Sequence, residues 1–263
     1  MKIATYNVWN EAKGVGNRFD QLISEITHTD ADILGLQEVT SHFFYDILIK
    51  SAGYPYYEFR KYADEDEGLA ILSRYPFESC MFLHQSEESA HSRALHVLFH
   101  AGNARFSFTN VHLPSDSVKA QEAQIVAINR YLHTQKEQAD YLIMLGDFNS
   151  GINASVHRYL IGEQTLLDCE SNPCWDELSI SYATLNDLPL QPTLDCKDNP
   201  RWKGKNTIYV PSVMDRVYIM DNWVDKTLRS VNLFGTVVSP VTNLCASDHY
   251  GVVAEVDFTR MYE

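Results

Sequence analysis

Positive charge is scarce in this chain. Lysine and arginine total 21 against 35 aspartates and glutamates, which leaves a net charge of −14 over 263 residues. A whole-surface electrostatic grip on a polyanion is therefore not expected, and any such contact must come from a local patch or from metal ions. Long apolar runs are missing too: none reaches the ~18 residues of a candidate membrane helix, so no membrane partner is expected. The opening stretch "MKIATYNVWN" reads as a strand from its second residue and lacks the apolar block of a secretory leader. Cysteine is sparse, with five residues and no CxxC pair. An odd number without that spacing argues against a disulfide framework and a zinc site, and suits a reduced, cytoplasmic chain. Repeats, low-complexity tracts and linkers are absent.

What is present is core material. With 45% hydrophobic and 12% aromatic residues, the chain can bury a large interior. Strand and helix patterns alternate along it. "KIATYNVW", "DILGLQEV", "GLAILS", "ALHVLFH", "RFSFTNVHL", "YLIMLGD", "DRVYIM" and "GVVAEVDF" read as strands. "NRFDQLISEITH", "HFFYDILIKSAG" and "SVKAQEAQIVAINRYLHTQKEQ" read as helices, and the region from about Gly151 to Val210 reads as irregular. The expectation is one α+β domain over residues 1–263, with two sheets and outer helices.

Polar residues stand at the ends of several of these strands: Asn7, Glu38, Asn110, His112, Asp147, Asn149, Asp215, Asp248 and His249. Each alone has an ordinary reading as a turn former, cap or surface ion-pair member. Together they make a list of hard oxygen ligands, carboxamides and two imidazoles, which suits metal-assisted hydrolysis of a phosphate ester. Spacing alone does not make them converge.

Asn7, "QEV", "GLAILSR", "NVHLPS", "GDFN" and "SDHYG", in this order, resemble the endonuclease/exonuclease/phosphatase superfamily. That superfamily includes abasic-site endonucleases, pancreatic-type deoxyribonucleases, neutral sphingomyelinases, inositol-polyphosphate 5-phosphatases and deadenylases. "GDFN" by itself is a weak signal; the ordered set is specific and runs from Thr5 to Gly251. The resemblance implies a four-layer α/β sandwich of two packed mixed β-sheets flanked by helices, with one Mg²⁺-dependent site, Mn²⁺ being an acceptable substitute. It places Glu38 as the metal ligand, with Asp248 and Asn7 completing the shell. Asp147 is then the group that activates water, and Asn149 holds water or phosphate in line. His249 and His112 donate to non-bridging oxygens, and Asp215 orients His249. Asn110, Ser115 and Arg93 are candidates for substrate contact, although Arg93 in "HSRAL" reads equally well as a strand-edge cation.

Three segments narrow the resemblance. "QPTLDCKDNP", "VMDRVYIMD" and "SDHYG" are similar to the T-W-D-T-x-x-N-P, R-x-D-R-I and S-D-H-W-G segments of the 5′-tyrosyl-DNA phosphodiesterase subgroup. This implies cleavage of the phosphodiester between a tyrosine and a DNA 5′ end, by a monomer. Leu194 stands where the subgroup has tryptophan, and Met214 where an aromatic residue is common; both changes weaken the expected wall against the DNA end. Nothing before the first strand resembles a ubiquitin-binding extension, so recruitment by such a module is not expected.

One basic segment bears on the same question. "KDNPRWKGK" carries Lys197, Arg201, Lys203 and Lys205 around Trp202, against the single acid Asp198. It is the candidate for tracking a phosphate backbone while stacking a base, and the alternative is a solvated loop. "DEDEG", Asp64 to Gly68, reads as an exposed turn, and "CESNPCWD" as packing plus a turn. The competing functions are an abasic-site or non-specific nuclease, a sphingomyelinase or inositol-phosphate phosphatase, and a non-catalytic binding module on the same fold.

Overall fold

The computed structural model describes residues 1–10, 18–63, 65–83, 93–204, 210–220 and 224–258. In chain order the elements begin with β1 (Lys2–Asn7), α1 (Arg18–Thr29) and β2 (Ile33–Val39). A π-helical stretch (Phe43–Leu48) runs into α2 (Ile49–Ser51), followed by β3 (Tyr56–Lys61), β4 (Gly68–Ser73) and β5 (Phe77–Leu83). Then come β6 (Ala94–Ala101), β7 (Ala104–His112), α3 (Val118–Gln135), β8 (Tyr141–Asp147), α4 (Ser155–Leu160) and β9 (Trp175–Glu177). The chain continues through α5 (Leu178–Leu185), β10 (Asp215–Met220), α6 (Val224–Thr227), β11 (Leu228–Phe234) and β12 (Gly251–Val256).

The strands form two six-stranded sheets, ordered β11-β12-β1-β2-β4-β3 and β5-β6-β7-β8-β10-β9. Each is antiparallel except for one pair near its middle, β1/β2 in the first and β7/β8 in the second. The strand period of two explains the layers. Along β8, Ile143 and Leu145 enter the core between the sheets, while Leu142 and Met144 face the outer layer with Ile125 and Val156. Along β1, Ile3 joins the central core, and Ala4 and Tyr6 pack with Leu22 and Ile26 of α1. Strands buried on both faces read as continuous apolar runs, as "YLIMLGD" does. The result is the expected sandwich of two mixed sheets between outer helices.

Two expectations are corrected. The region from Gly151 to Val210 is not simply irregular, since it contains α4, β9 and α5. "HFFYDILIKSAG" is helical, but six of its residues, Phe43–Leu48, wind as a π-helix. All five cysteines are free. Among the described residues no helix is long and apolar enough to cross a membrane.

Candidate active site

The two parallel pairs end on the same side of the sandwich, and β10 and β12 begin there. In the second sheet, His112 at the end of β7 is in register with Asp147 at the end of β8, which is in register with Asp215 at the start of β10. One rung thus carries three of the expected residues. In the first sheet β1 ends on Asn7, and a bulge between Leu36 and Val39 interrupts the pairing of β2 with β4. Glu38 sits in that bulge with φ +57, a left-handed conformation that a non-glycine residue adopts at a cost. The bulge re-aims its carboxylate, the usual effect of such an insertion beside a site. Gly146 has its own backbone reason. Its φ is +140, and a Cβ there would lie 1.9 Å from the Val111 carbonyl oxygen, so only glycine lets β8 approach β7 one residue before Asp147.

Asn7 joins the two sheets. Its Nδ2 donates to Glu38 Oε1 at 2.8 Å and to Asp147 Oδ2 at 2.9 Å, while its Oδ1 accepts the Trp9 N–H at 2.9 Å. The Asn10 N–H donates to Glu38 Oε2 at 3.0 Å, and the Asn10 side chain donates to Glu67. His112 Nε2 lies 3.8 Å from Asp147 Oδ2 and 3.9 Å from Glu38 Oε1. His249 Nδ1 is 2.8 Å from Asp215 Oδ2 and 4.0 Å from Asp147 Oδ2. The Thr193 hydroxyl accepts the Met214 and Asp215 N–H groups, each at 3.0 Å, and fixes the start of β10. The Ser247 hydroxyl donates to the Asn7 carbonyl at 2.7 Å, tying the loop that carries Asp248 and His249 to β1.

Electrostatics follow from this packing. Burial alone would raise the Asp147 carboxyl, but His249, His112, the Asn149 N–H and the Asn7 amide outweigh it and hold the group below its ordinary range. Burial disfavours a charged His249, yet Asp215 and Asp147 on its flanks raise it well above the ordinary imidazole value. Glu67 is buried beside Glu38, and the two effects push its carboxyl up to about 7. Among the described residues, carboxylate and imidazole atoms within 4.8 Å of one another form two triads that share Asp147: Glu38–His112–Asp147 and Asp147–Asp215–His249.

Six of the expected residues therefore converge: Asn7, Glu38, His112, Asp147, Asp215 and His249. Asn149 adjoins them, its N–H on Asp147 Oδ1 and its Nδ2 on the Leu113 carbonyl, both at 2.8 Å. Arg93 borders them, held by Glu65, 3.9 Å from Glu67 and over the Tyr62 ring. Several expectations need correction. Glu38 has a carboxylate neighbour that the expected ligand set left out, Asp147, while the Asp248 Oδ1 lies 3.5 Å from the Ser247 hydroxyl. Asn7 turns its nitrogen, not its oxygen, to the carboxylates, because two acceptors demand donors. Asn110 faces the interior: its Nδ2 donates to the Leu36 and Ala70 carbonyls and its Oδ1 accepts from Gln37, so it stitches the sheets together and leaves nothing for substrate. Arg201 is buried, with Nε on the Cys245 carbonyl at 2.7 Å and its guanidinium 4.9 Å from the Trp9 ring centroid. Trp202 is half-buried, and its indole N–H donates to the Asp248 carbonyl at 3.0 Å. Lys197, Lys203 and Ser115 are exposed, Leu194 is buried and Met214 half-buried, while Lys205 lies outside the described residues.

Sequence reasoning missed Asn10, Tyr62, Glu67, Thr193 and Ser247. Glu67 had a signal, since it immediately precedes the apolar run "GLAILS", yet it reads as part of an acidic turn. In fact Glu65 and Asp66 are exposed and Glu67 is buried.

The family model for the endonuclease/exonuclease/phosphatase family matches residues 4–249. No curated protein matches the chain in sequence. Among solved structures, truncated Caenorhabditis elegans TDP2 superposes with a TM-score of 0.77 at 16% identity, covering 97% of each chain. D. rerio TDP2 complexed with single strand DNA product gives 0.74 at 16% identity over 98% of both chains. The mannosyl-6-phosphatase Bt3783 of Bacteroides thetaiotaomicron gives 0.70 at 16% identity, over 97% of this chain and 99% of that one. These likenesses establish the fold.

Proposed function

The chain belongs to the endonuclease/exonuclease/phosphatase family, whose members are hydrolases acting on phosphate esters, and on that premise we propose that it is a metal-dependent phosphodiesterase of the 5′-phosphotyrosyl-DNA bond. The observation that carries the hydrolytic reading is the single carboxylate Asp147 flanked by two imidazoles at 3.8 and 4.0 Å. Asp147 is ionised at neutral pH and accepts the proton of the attacking water. The Asn7 amide holds its Oδ2, and the Asn149 N–H holds its Oδ1. His249, kept charged by Asp215, and His112 through Nε2 donate to the non-bridging oxygens as negative charge builds there.

Hard oxygen donors fit Mg²⁺ or Mn²⁺, and Glu38 keeps lone pairs beyond its two hydrogen bonds, with its side chain 19% exposed. Glu38, with Asp248, would hold the ion. When bound, it supplies Lewis-acid neutralisation of a phosphoryl oxygen. A tyrosyl ester suits this machinery because its leaving group is a phenolate, of pKa about 10, which departs without a strong acid. The sequence segments "QPTLDCKDNP" and "SDHYG" support the tyrosyl substrate.

A second reading is a sugar-phosphate monoesterase. It is favoured by the burial of Arg201, which removes one cation from the basic segment of a chain with net charge −14. The deciding experiment assays a 5′-phosphotyrosyl oligonucleotide beside mannose 6-phosphate, abasic duplex, sphingomyelin and inositol phosphates. We expect fastest release of tyrosine, abolished by chelator and restored by Mg²⁺ or Mn²⁺, and lost in a folded Glu38→Gln variant. Turnover of mannose 6-phosphate alone supports the second reading, and full activity in excess chelator overturns the metal-dependent one.

A further inference from the structure

The two histidines of the site are oriented by different chemistry. His249 Nδ1 meets a carboxylate, Asp215, at 2.8 Å. His112 Nδ1 meets a phenol: the Tyr62 hydroxyl lies 3.4 Å away, and both groups are buried. Tyr62 sits just past the end of β3, where its N–H donates to the Glu67 carbonyl at 2.9 Å and closes the turn into β4. Its ring is fixed from two sides. Phe82 stacks against it with centroids 6.2 Å apart, and the Arg93 guanidinium lies over it, 4.4 Å from the ring centroid. Arg93 is in turn held by Glu65, and its carbonyl accepts the His112 N–H at 2.9 Å. A side chain packed this way has little freedom to aim its hydroxyl anywhere but at His112.

We propose that Tyr62 is a positioning residue that donates to His112 Nδ1 and thereby keeps the imidazole proton on Nε2, facing Asp147 and the reacting phosphate. Burial raises the Tyr62 phenol well above its ordinary value, so it stays an O–H donor at neutral pH. An imidazole nitrogen that accepts one hydrogen bond must carry its proton on the other nitrogen. His112 Nε2 is the nitrogen 3.8 Å from Asp147 Oδ2, where a donor to a non-bridging oxygen belongs. This assignment rests on the hydrolytic reading above for its catalytic consequence, but not for the tautomer itself.

Tyr62→Phe keeps the ring, its stacking on Phe82 and its face under Arg93, and deletes only the hydroxyl. Nitrogen NMR on histidine-labelled, metal-free protein reads the tautomer directly. The wild type should show His112 protonated on Nε2 and accepting at Nδ1, and Tyr62→Phe should mix the two tautomers. Turnover should fall about tenfold, the worth of one hydrogen bond to the imidazole, with KM within about twofold. In a His112→Ala background the same change should cost nothing more. A wild-type proton on Nδ1, an unchanged tautomer in Tyr62→Phe, or an equal loss without His112 would overturn the assignment. If no phosphate ester is turned over, the hydrolytic reading fails, and the NMR result still decides the role of Tyr62.

Discussion

His112 and Asp147 are register partners across the parallel strands β7 and β8, and His112 Nε2 lies 3.8 Å from Asp147 Oδ2. The same rung continues to Asp215 on β10. A carboxylate, an imidazole and a second carboxylate that hydrogen-bonds His249 therefore stand on backbone already fixed by sheet hydrogen bonds. Side chains built on strands in this way keep their geometry when one neighbour is truncated, so single substitutions in the rung should change chemistry before they change folding.

The first consequence concerns pH. Asp215 and Asp147 hold His249 charged well above the ordinary imidazole value of 6.5. A cation of raised pKa is present below that pKa and lost as pH rises through it, so the alkaline limb of kcat/KM should lie above pH 6.5. Asp215→Asn removes the nearer carboxylate and should move that limb to lower pH, with a smaller maximal rate. A pH–rate profile checks this; an unmoved limb would detach Asp215 from His249.

Glu67 should make stability depend on pH. Its carboxyl is pushed up to about 7 from an ordinary 4.5, so between those values the folded chain holds a proton that the unfolded chain releases. Stability of the metal-free protein should then fall as pH rises through that window. Glu67→Gln should flatten the slope and stabilise the protein by about 1–3 kcal/mol above about pH 8. Urea titrations of both proteins at several pH values measure it, and parallel curves would refute the burial account of Glu67.

Within the basic segment, the structure divides cations that sequence reasoning grouped. Lys197→Gln with Lys203→Gln should flatten the salt dependence of binding to a long 5′-tyrosyl oligonucleotide, by about one unit of slope per lost phosphate contact. Arg201→Gln should instead lower stability by roughly 2 kcal/mol, since it strips donors from the Cys245 and Ala246 carbonyls. Binding isotherms against salt, beside melting curves, separate the two outcomes. A salt effect from Arg201 without destabilisation would return it to the DNA path.

That segment illustrates what was legible. β1, β2, β4, β6, β7, β8, β10 and β12 announced themselves because their buried stretches are rich in apolar and β-branched residues. β3, β5 and β11 did not, because edge strands such as "YYEFRK" carry exposed and charged positions. The rung of His112, Asp147 and Asp215 could be named because ordered motifs end those strands. Its supports could not: Tyr62, Thr193 and Ser247 act through single hydroxyls whose partners lie 50, 22 and 240 residues away in sequence. Arg201 was misjudged because charge suggests solvent, whereas here carbonyls and the Trp9 ring satisfy the guanidinium. Asn110 was misjudged for the related reason that a carboxamide at a strand end suits a site and an inter-sheet brace equally well.

The most direct test is the single-turnover rate of Mg²⁺-loaded wild type and Asp147→Asn on a 5′-phosphotyrosyl oligonucleotide. The substitution keeps the shape of the side chain and removes the base. The account predicts a 5′-phosphate product from the wild type and a rate lower by about 10²–10⁴ in the variant, measured at a temperature where both proteins are folded. Equal rates in the two proteins, or no cleavage by the wild type, would contradict it.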